Sequence, residues 1–470
     1  MLNTAGLLYV TSRAISAGGN LLAVAIFSHI AGPAEYGHYV LIFAWSMIVY
    51  GFGTQWMRFA YFGVYQTQVV YQYVAALAQL LGATLAVLTV VLAGLVWLGL
   101  HEAAFAIAVF ALVCGMTIYE AAFEVARTLL HAGAASLSMI LRTCLTIALG
   151  SLSLWLGGGA TGLACAIALA HVLAALPCLA TFADVRLSQG TRAACLRILR
   201  YGWPLLLSFG VNAVGQGIDR LLLAHYAGAA ALGPYGVVAD VLRQSFAVFG
   251  EAIILSLVTT AKQHANEGEM QNANIALQKA FNACLAAAAF GAAFFFVFGD
   301  RVLSMLLGED FIAPTRDLIP ILTIAFAFMT MRNFYFAQVI YFTNASHLEL
   351  VVSALFLVVS TALALVLVPS HGALGAAISL MVACIVSCLA FMVIGRRWFA
   401  LPIDPVGVGA IPALAGLFVL GAQATAHFLA GGTVPLVIDA LAFALFSAFA
   451  VHRFGLLSAI AGDSVGVRSA

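Results

Sequence analysis

Fourteen apolar runs, each long enough to cross a lipid bilayer, take up almost the whole of this chain. They lie at about 5–30, 38–60, 72–99, 103–126, 135–156, 160–182, 202–226, 233–260, 274–299, 316–342, 346–369, 373–395, 405–429 and 433–455. A bilayer offers no water to satisfy backbone N–H and C=O groups, so each run must close its own hydrogen bonds as a helix. Composition agrees. Of 470 residues 64% are hydrophobic and 8% charged, with a mean hydropathy of +1.09, where soluble domains carry about 25% charge. The expected fold class is all-α, a polytopic membrane protein of about fourteen helices. The first run lacks a basic leader and a small-residue cleavage site, which predicts a retained helix rather than a signal peptide.

Basic residues orient the bundle. With the N-terminus in the cytoplasm, Arg127, Arg186, Arg192, Arg197, Arg200, Lys262, Lys279, Arg396, Arg397, Arg453 and Arg468 fall on that side. Only Arg301 and Arg316 fall opposite, beside Asp300, Glu309, Asp310 and Asp317. This asymmetry predicts that both termini are cytoplasmic. A net charge of +1 asks for no nucleic-acid partner; the surrounding membrane lipid is the partner that composition demands.

Two stretches 196 residues apart repeat one signature: H-I-A-G-P-A-E-Y-G-H-Y at His29–Tyr39 and H-Y-A-G-A-A-A-L-G-P-Y at His225–Tyr235. A weaker echo pairs Gly159-Ala160-Thr161-Gly162 with Gly372-Ala373-Leu374-Gly375. The stronger signature ends runs 1 and 7, so each copy holds six helices, and an even number leaves the copies in parallel orientation. Four units follow: a six-helix lobe at 1–183, a basic link at 184–200, a second six-helix lobe at 201–395, and two extra helices with a tail at 396–470. In the link, Leu196 and Leu199 with Arg192, Arg197 and Arg200 suit a short helix on an anionic leaflet. A plain basic connection has the same composition, and both readings stay open.

Several chemistries are absent from the sequence. There is no GxxxxGK[ST] loop for ATP, no HExxH, no GxSxG and no CxxC pair; no metal or cofactor is expected. Eight cysteines sit mostly in apolar runs, and Cys384 and Cys388, one turn apart, suit packing. Eleven histidines scatter near helix ends.

What remains is charge inside the bilayer. Arg13, Arg142, Arg220, Arg243 and Arg332 fall within the runs, as do Glu120, Glu124, Asp219, Asp240 and Glu251. A central arginine costs roughly 2.5–3.5 kcal/mol to insert, so such residues must face protein or a wet cavity. Arg243 and Arg332 lie about ten residues from the nearer helix end, or roughly 15 Å, near the midplane. Arg13 and Arg142 are within snorkelling reach of the cytoplasmic side. Arg220 is nearer the outer end, and Arg58, at the end of run 2, reads as an interfacial anchor. Asp240 with Arg243, and Glu124 with Arg127, share a helix face and can neutralise each other. Asp219 and Arg220 point apart and need other partners. Arg13, Arg142 and Arg332 have no acid three or four residues away, which leaves cavity lining or pairing between helices. A cavity edged with arginines favours an anion, because guanidinium forks onto phosphate oxygens in a bidentate way.

Three segments resemble one known family. Leu367–Ser379 (L-V-P-S-H-G-A-L-G-A-A-I-S) is similar to the boundary of helices 11 and 12 in polysaccharide flippases of the multidrug/oligosaccharidyl-lipid/polysaccharide exporter superfamily. Ala31–Tyr39 resembles their link between helices 1 and 2, and Leu307–Phe311 with Leu318–Leu322 their entry into helix 10. The resemblance spans roughly residues 1–395 and identifies the scaffold better than the cargo. It implies two lobes working by alternating access. The implied cargo is an undecaprenyl-diphosphate-linked oligosaccharide, moved to the periplasmic leaflet of a bacterial inner membrane for exopolysaccharide, capsule or O-antigen synthesis. A polysaccharide polymerase and other biosynthetic proteins would be its neighbours. The diphosphate clamp expected in such transporters is carried here by depth to Arg13, Arg142, Arg243 and Arg332. Asp219 and Asp240, with Arg220, Glu120 and Glu124, are left for ion coupling or ion pairing.

Two other classes compete. A cation-coupled drug exporter on the same scaffold would use acids in the first lobe, where Glu120 and Glu124 are available but runs 1–3 have none. A membrane polymerase, ligase or glycosyltransferase would need a large outward domain, and the longest outward link, about 300–315, is too short.

Overall fold

A computed structural model describes residues 4–99, 102–343, 347–428 and 433–454; Arg468, one of the charges used for orientation, lies outside them. Twelve helices are long and apolar enough to cross a membrane. One of these, His347–Gly395, is two helices joined where Gly372 leaves helical geometry. A further helix, Arg192–Ala227, is also long enough to span. The result is fourteen spanning helices: α1 (Thr4–Ile30), α2 (Pro33–Val64), α3 (Val70–Trp97), α4 (Ala103–Thr128), α5 (Ala132–Trp155), α6 (Gly159–Ala180) and α7 (Arg192–Ala227). They continue as α8 (Ala229–Asn266), α9 (Met270–Leu306), α10 (Leu318–Phe342), α11 (347–371), α12 (373–395), α13 (Pro405–Phe428) and α14 (Thr433–Arg453). No strand occurs among the described residues. The expected all-α membrane class and its two lobes are what the chain adopts.

The lobes repeat each other contact for contact. In the first, α1 packs on α5 and α4 on α6; in the second, α7 packs on α11 and α10 on α12. The extra pair α13–α14 rests on α9, through Phe290, Phe298, Phe418 and Phe443. Both weak-echo glycines open the last helix of their lobe in the left-handed region, Gly159 at φ 61° and Gly372 at φ 55°. Only glycine visits that region without strain. α2 and α8, equivalent helices, each contain one π turn, at Gly51–Gln55 and Ile254–Val258.

The stronger signature explains how the lobes meet. A Cβ on Gly37 would run into the carbonyl oxygen of Ala229, and one on Gly233 into that of Pro33. Residues 37 and 233 are equivalent in the repeat, as are 33 and 229, so the contact is reciprocal about a pseudo-two-fold axis. Farther along, Gly236 receives the methyls of its counterpart Val40. Small residues four apart let two helix backbones touch, the same device that dimerises membrane helices. Tyr36, Leu232 and Tyr235 seal the crossing, and Phe311, from the short helix Glu309–Thr315, packs edge-on to Tyr36 at 6.0 Å.

Alternating helices place Arg127, Arg186, Arg192, Arg197, Arg200, Lys262, Lys279, Arg396, Arg397 and Arg453 on one face of the bundle, and Arg301 and Arg316 on the other. Trp97 and Trp155, 86% and 78% exposed, end α3 and α5 at the second face; Trp203 and Trp398 stand near the basic one. Such aromatic rims mark membrane interfaces. The segment 184–200, read above as either a surface helix or a plain basic link, divides in two. Leu187–Gln189 is a single 3-10 turn, and Arg192–Arg200 is the opening of α7 itself. Ala194 and Ile198 bury against Tyr73 and Leu77 of α3, so those turns are packed on one side.

Gly37→Ala and Gly233→Ala should each lower the unfolding temperature in detergent, since overpacking costs about 1–3 kcal/mol. Gly133→Ala and Gly416→Ala, where a Cβ meets nothing within 4 Å, should not. Tryptophan fluorescence on heating reads the comparison.

Candidate functional site

Between the lobes, α2 faces α7 and α8 across a cleft. Phe43, Ala44, Met47 and Gln55 line it from α2; Asn212, Ala213, Gln216, Gly217 and Arg220 line it from α7; Arg243 lines it from α8. Arg220 is about seven residues from the end of α7, roughly 10 Å from that face. Arg243 is fourteen residues into α8, roughly 21 Å from the same face.

The two guanidinium groups share one carboxylate. Arg220 Nη2 donates to Asp240 Oδ1 at 2.6 Å, and Arg243 Nη2 donates to the same oxygen. The side chain of Arg220 is 5% exposed, those of Asp240 and Arg243 27% and 33%. Formally these three groups sum to +1, and Asp219, the buried neighbour of Arg220, brings the local sum to zero. Asp219 turns away from its neighbour: it accepts a hydrogen bond from Tyr235 Oη, while its own Oδ1 is buried without a partner.

The remaining intramembrane charges separate. Arg13 Nη1 meets Glu251 Oε2 at 2.8 Å, a bridge from α1 to α8 and hence between lobes. Glu251 is eight residues past Arg243, the same face of α8 and about 12 Å nearer the basic end. Arg142 and Arg332 do not line the cleft. The Arg142 guanidinium lies 5.0 Å from the Tyr119 ring centre inside the first lobe, with the His171 ring edge-on to the same tyrosine at 5.5 Å. Arg332 is buried in the second lobe between Phe356 and Phe391, 5.7 and 5.5 Å away. It donates to Asn333 Oδ1 at 2.9 Å and Ser353 Oγ at 3.3 Å, with Glu349 at 3.5 Å.

Arg58 is not an interfacial anchor. It reaches across to Glu120 on α4, and its Nε is buried. Glu124 takes Arg127 at 2.6 Å on its own helix. Glu120 and Glu124, the intramembrane acids of the first lobe, are therefore spent on arginines. Pairing over a gap of 62 residues leaves no local trace, which is why the sequence reading missed it. The amides Gln55, Asn212 and Gln216 were also passed over, although Asn212, Gln216 and Arg220 recur every four residues along one face of a span.

At the basic end of α8 and just past it, His264, Glu267 and Glu269 gather three metal-capable side chains, all partly or fully exposed. Hydrogen bonds from Asn272 and His264 hold the Glu269 carboxyl below its ordinary range. These bonds join α8 to α9, and the cluster stands apart from the cleft.

No family model and no curated protein matches this chain. Solved structures do. The lipid II flippase MurJ in an inward closed conformation superposes with a TM-score of 0.76 at 11% identity, over 95% of this chain and 99% of that one. An inward-facing multidrug resistance MATE transporter of the MOP superfamily gives 0.64 at 16% identity, over 83% and 97%. A MOP-superfamily transporter from Pyrococcus furiosus Vc1, described as having a binding pocket of reversed polarity, gives 0.55 at 16%, over 83% and 93%. The chain has their fold. At these identities the likeness is one of architecture.

Asp240→Asn should destabilise the protein strongly, since breaking a buried pair costs about 3–5 kcal/mol. Adding Arg220→Met to that variant should restore part of the loss, because the stranded charge is then gone. Thermal unfolding of the two variants measures both effects.

Proposed function

We propose that this chain is a transporter of the MOP superfamily that flips an undecaprenyl-diphosphate-linked oligosaccharide. The observation that carries the reading is the Arg220–Asp240–Arg243 group in the cleft between two repeated lobes. Two forked donors suit a diphosphate, whose oxygens accept in the same bidentate geometry. Bound phosphates would compete with Asp240 for donors that are already aimed into the space. The MurJ likeness supports a lipid-linked cargo. The apolar residues Phe43 and Met47 accompany the arginines, and the carboxylate at the cleft, Asp240, is held by both of them.

In this reading the basic face is cytoplasmic and the membrane is a bacterial inner membrane. The substrate enters from the cytoplasmic leaflet and leaves in the periplasmic one, to supply exopolysaccharide, capsule or O-antigen assembly. Arg13, paired across the lobes on the Arg243 face of α8, belongs to the entry side of the path. Arg142 and Arg332, held against aromatic rings, serve their own lobes. Asp219, with one unpartnered oxygen beside the clamp, is the coupling group for an ion gradient. The MATE likeness keeps a drug exporter as the second reading, but Glu120 and Glu124 already neutralise arginines.

Proteoliposomes of the purified chain with a fluorescent undecaprenyl-diphosphate oligosaccharide test the proposal. The sugar should become accessible to an external enzyme faster than in protein-free vesicles. Arg243→Ala should slow that by about ten-fold or more, the worth of a charge-assisted contact, at an unchanged unfolding temperature. Arg243→Lys should recover only part, since a point charge cannot fork. Uptake of a cationic dye by the same vesicles, with no movement of the lipid, would overturn the reading for the exporter.

A further inference from the structure

The cleft contains three amide side chains that the ion pairs leave unused. Gln55 ends the π turn of α2, Asn212 and Gln216 stand on α7, and all three line the space occupied by Arg220 and Arg243. None of the three has a hydrogen-bond partner among the described residues. Asn212, Gln216 and Arg220 follow at intervals of one turn, so the row climbs in steps of about 6 Å along a single face. It begins at the guanidinium pair and runs toward the basic face. Both amides on α7 lie more than two turns inside a spanning helix, where an unsatisfied polar group must find water or a ligand.

The chemistry of an amide narrows the ligand. It offers one acceptor and two donors at no charge. A carboxylate here would repel a diphosphate, and another cation would extend the clamp. Neutral groups that both give and take hydrogen bonds match the hydroxyl and acetamido substituents of a sugar. The group next to the diphosphate in a lipid-linked glycan is its first sugar. Phe43 and Met47 add apolar surface suited to the C–H face of a pyranose ring. Gln55 is the last residue of the π turn, and π turns of this kind recur at ligand sites.

We propose that Gln55, Asn212 and Gln216 form a sugar-reading subsite, which hydrogen-bonds the sugar attached to the diphosphate and selects the glycan by it. This rests on the diphosphate-clamp reading of the same cleft. The full-length protein in detergent is titrated with a short polyprenyl diphosphate, bare or carrying a single hexose, deoxyhexose or N-acetylhexosamine. The wild type should bind at least one sugar-bearing probe about ten-fold more tightly than the bare lipid, the worth of two or three net hydrogen bonds. The combined Gln55→Ala, Asn212→Ala and Gln216→Ala variant should lose that preference and keep bare-lipid affinity within about two-fold. If the triple change lowers the unfolding temperature, each single substitution should still narrow the preference. Equal binding of the bare and all sugar-bearing probes by the wild type overturns the subsite alone. So does an equal loss of both by the amide variants, which would make the amides supports of the clamp. Failure of the wild type to bind any diphosphate overturns the clamp and the subsite together.

Discussion

The backbone contact between α2 and α8 sets the geometry of the whole molecule. Gly37 lies on Ala229 and Gly233 on Pro33, so two helices from different lobes cross with no side chain between them. The crossing stands within two turns of the face where α1 hands over to α2 and α7 to α8. It brings the lobes together there, and the cleft lies deeper, between α2, α7 and α8. Because each partner in the contact has its equivalent in the other lobe, a change in one glycine perturbs one half of a symmetric pair. An interface so close in approach holds by backbone fit.

Electrostatics in the cleft follow from that placement. Three charges packed at this depth cost desolvation that only mutual attraction offsets. One carboxylate between two guanidinium groups satisfies Arg220, which is almost wholly enclosed, and leaves Arg243 half open to the space. The second lobe supplies every charge in the cleft, whereas the first contributes Phe43, Met47 and Gln55. The repeat is therefore symmetric in backbone and asymmetric in chemistry. In the first lobe Glu120 and Glu124 are taken by Arg58 and Arg127, Arg13 pairs across to Glu251 of the second lobe, and Arg142 lies over Tyr119.

The sequence was most informative where a constraint acts locally or repeats. Most helix spans could be read from apolar length, a one-dimensional requirement, while the polar extensions of α7 back to Arg192 and of α8 and α9 to Asn266 and Leu306 were not. The His29–Tyr39 signature was legible because small residues had to be kept twice for the lobes to touch. Direction around a helix axis was not legible. Depth put Arg142 and Arg332 in the same class as Arg243, yet their side chains leave the axis toward aromatic rings inside each lobe. Pairings over long gaps, Arg58 with Glu120 and Arg13 with Glu251, were invisible for want of any local pattern. The amide row on α7 carried a readable four-residue spacing, but charge drew the attention that spacing merited.

The central claim is that the lobes part at the glycine crossing while the arginine cleft holds the cargo. Its most direct test is the distance between spin labels at Ala34 and Ala230, equivalent and exposed positions on either side of the crossing. The eight native cysteines are replaced first. Addition of a lipid-linked diphosphate glycan should produce a second, longer distance alongside the short one seen here. A single short distance, unchanged in vesicles that move the glycan, would contradict the account.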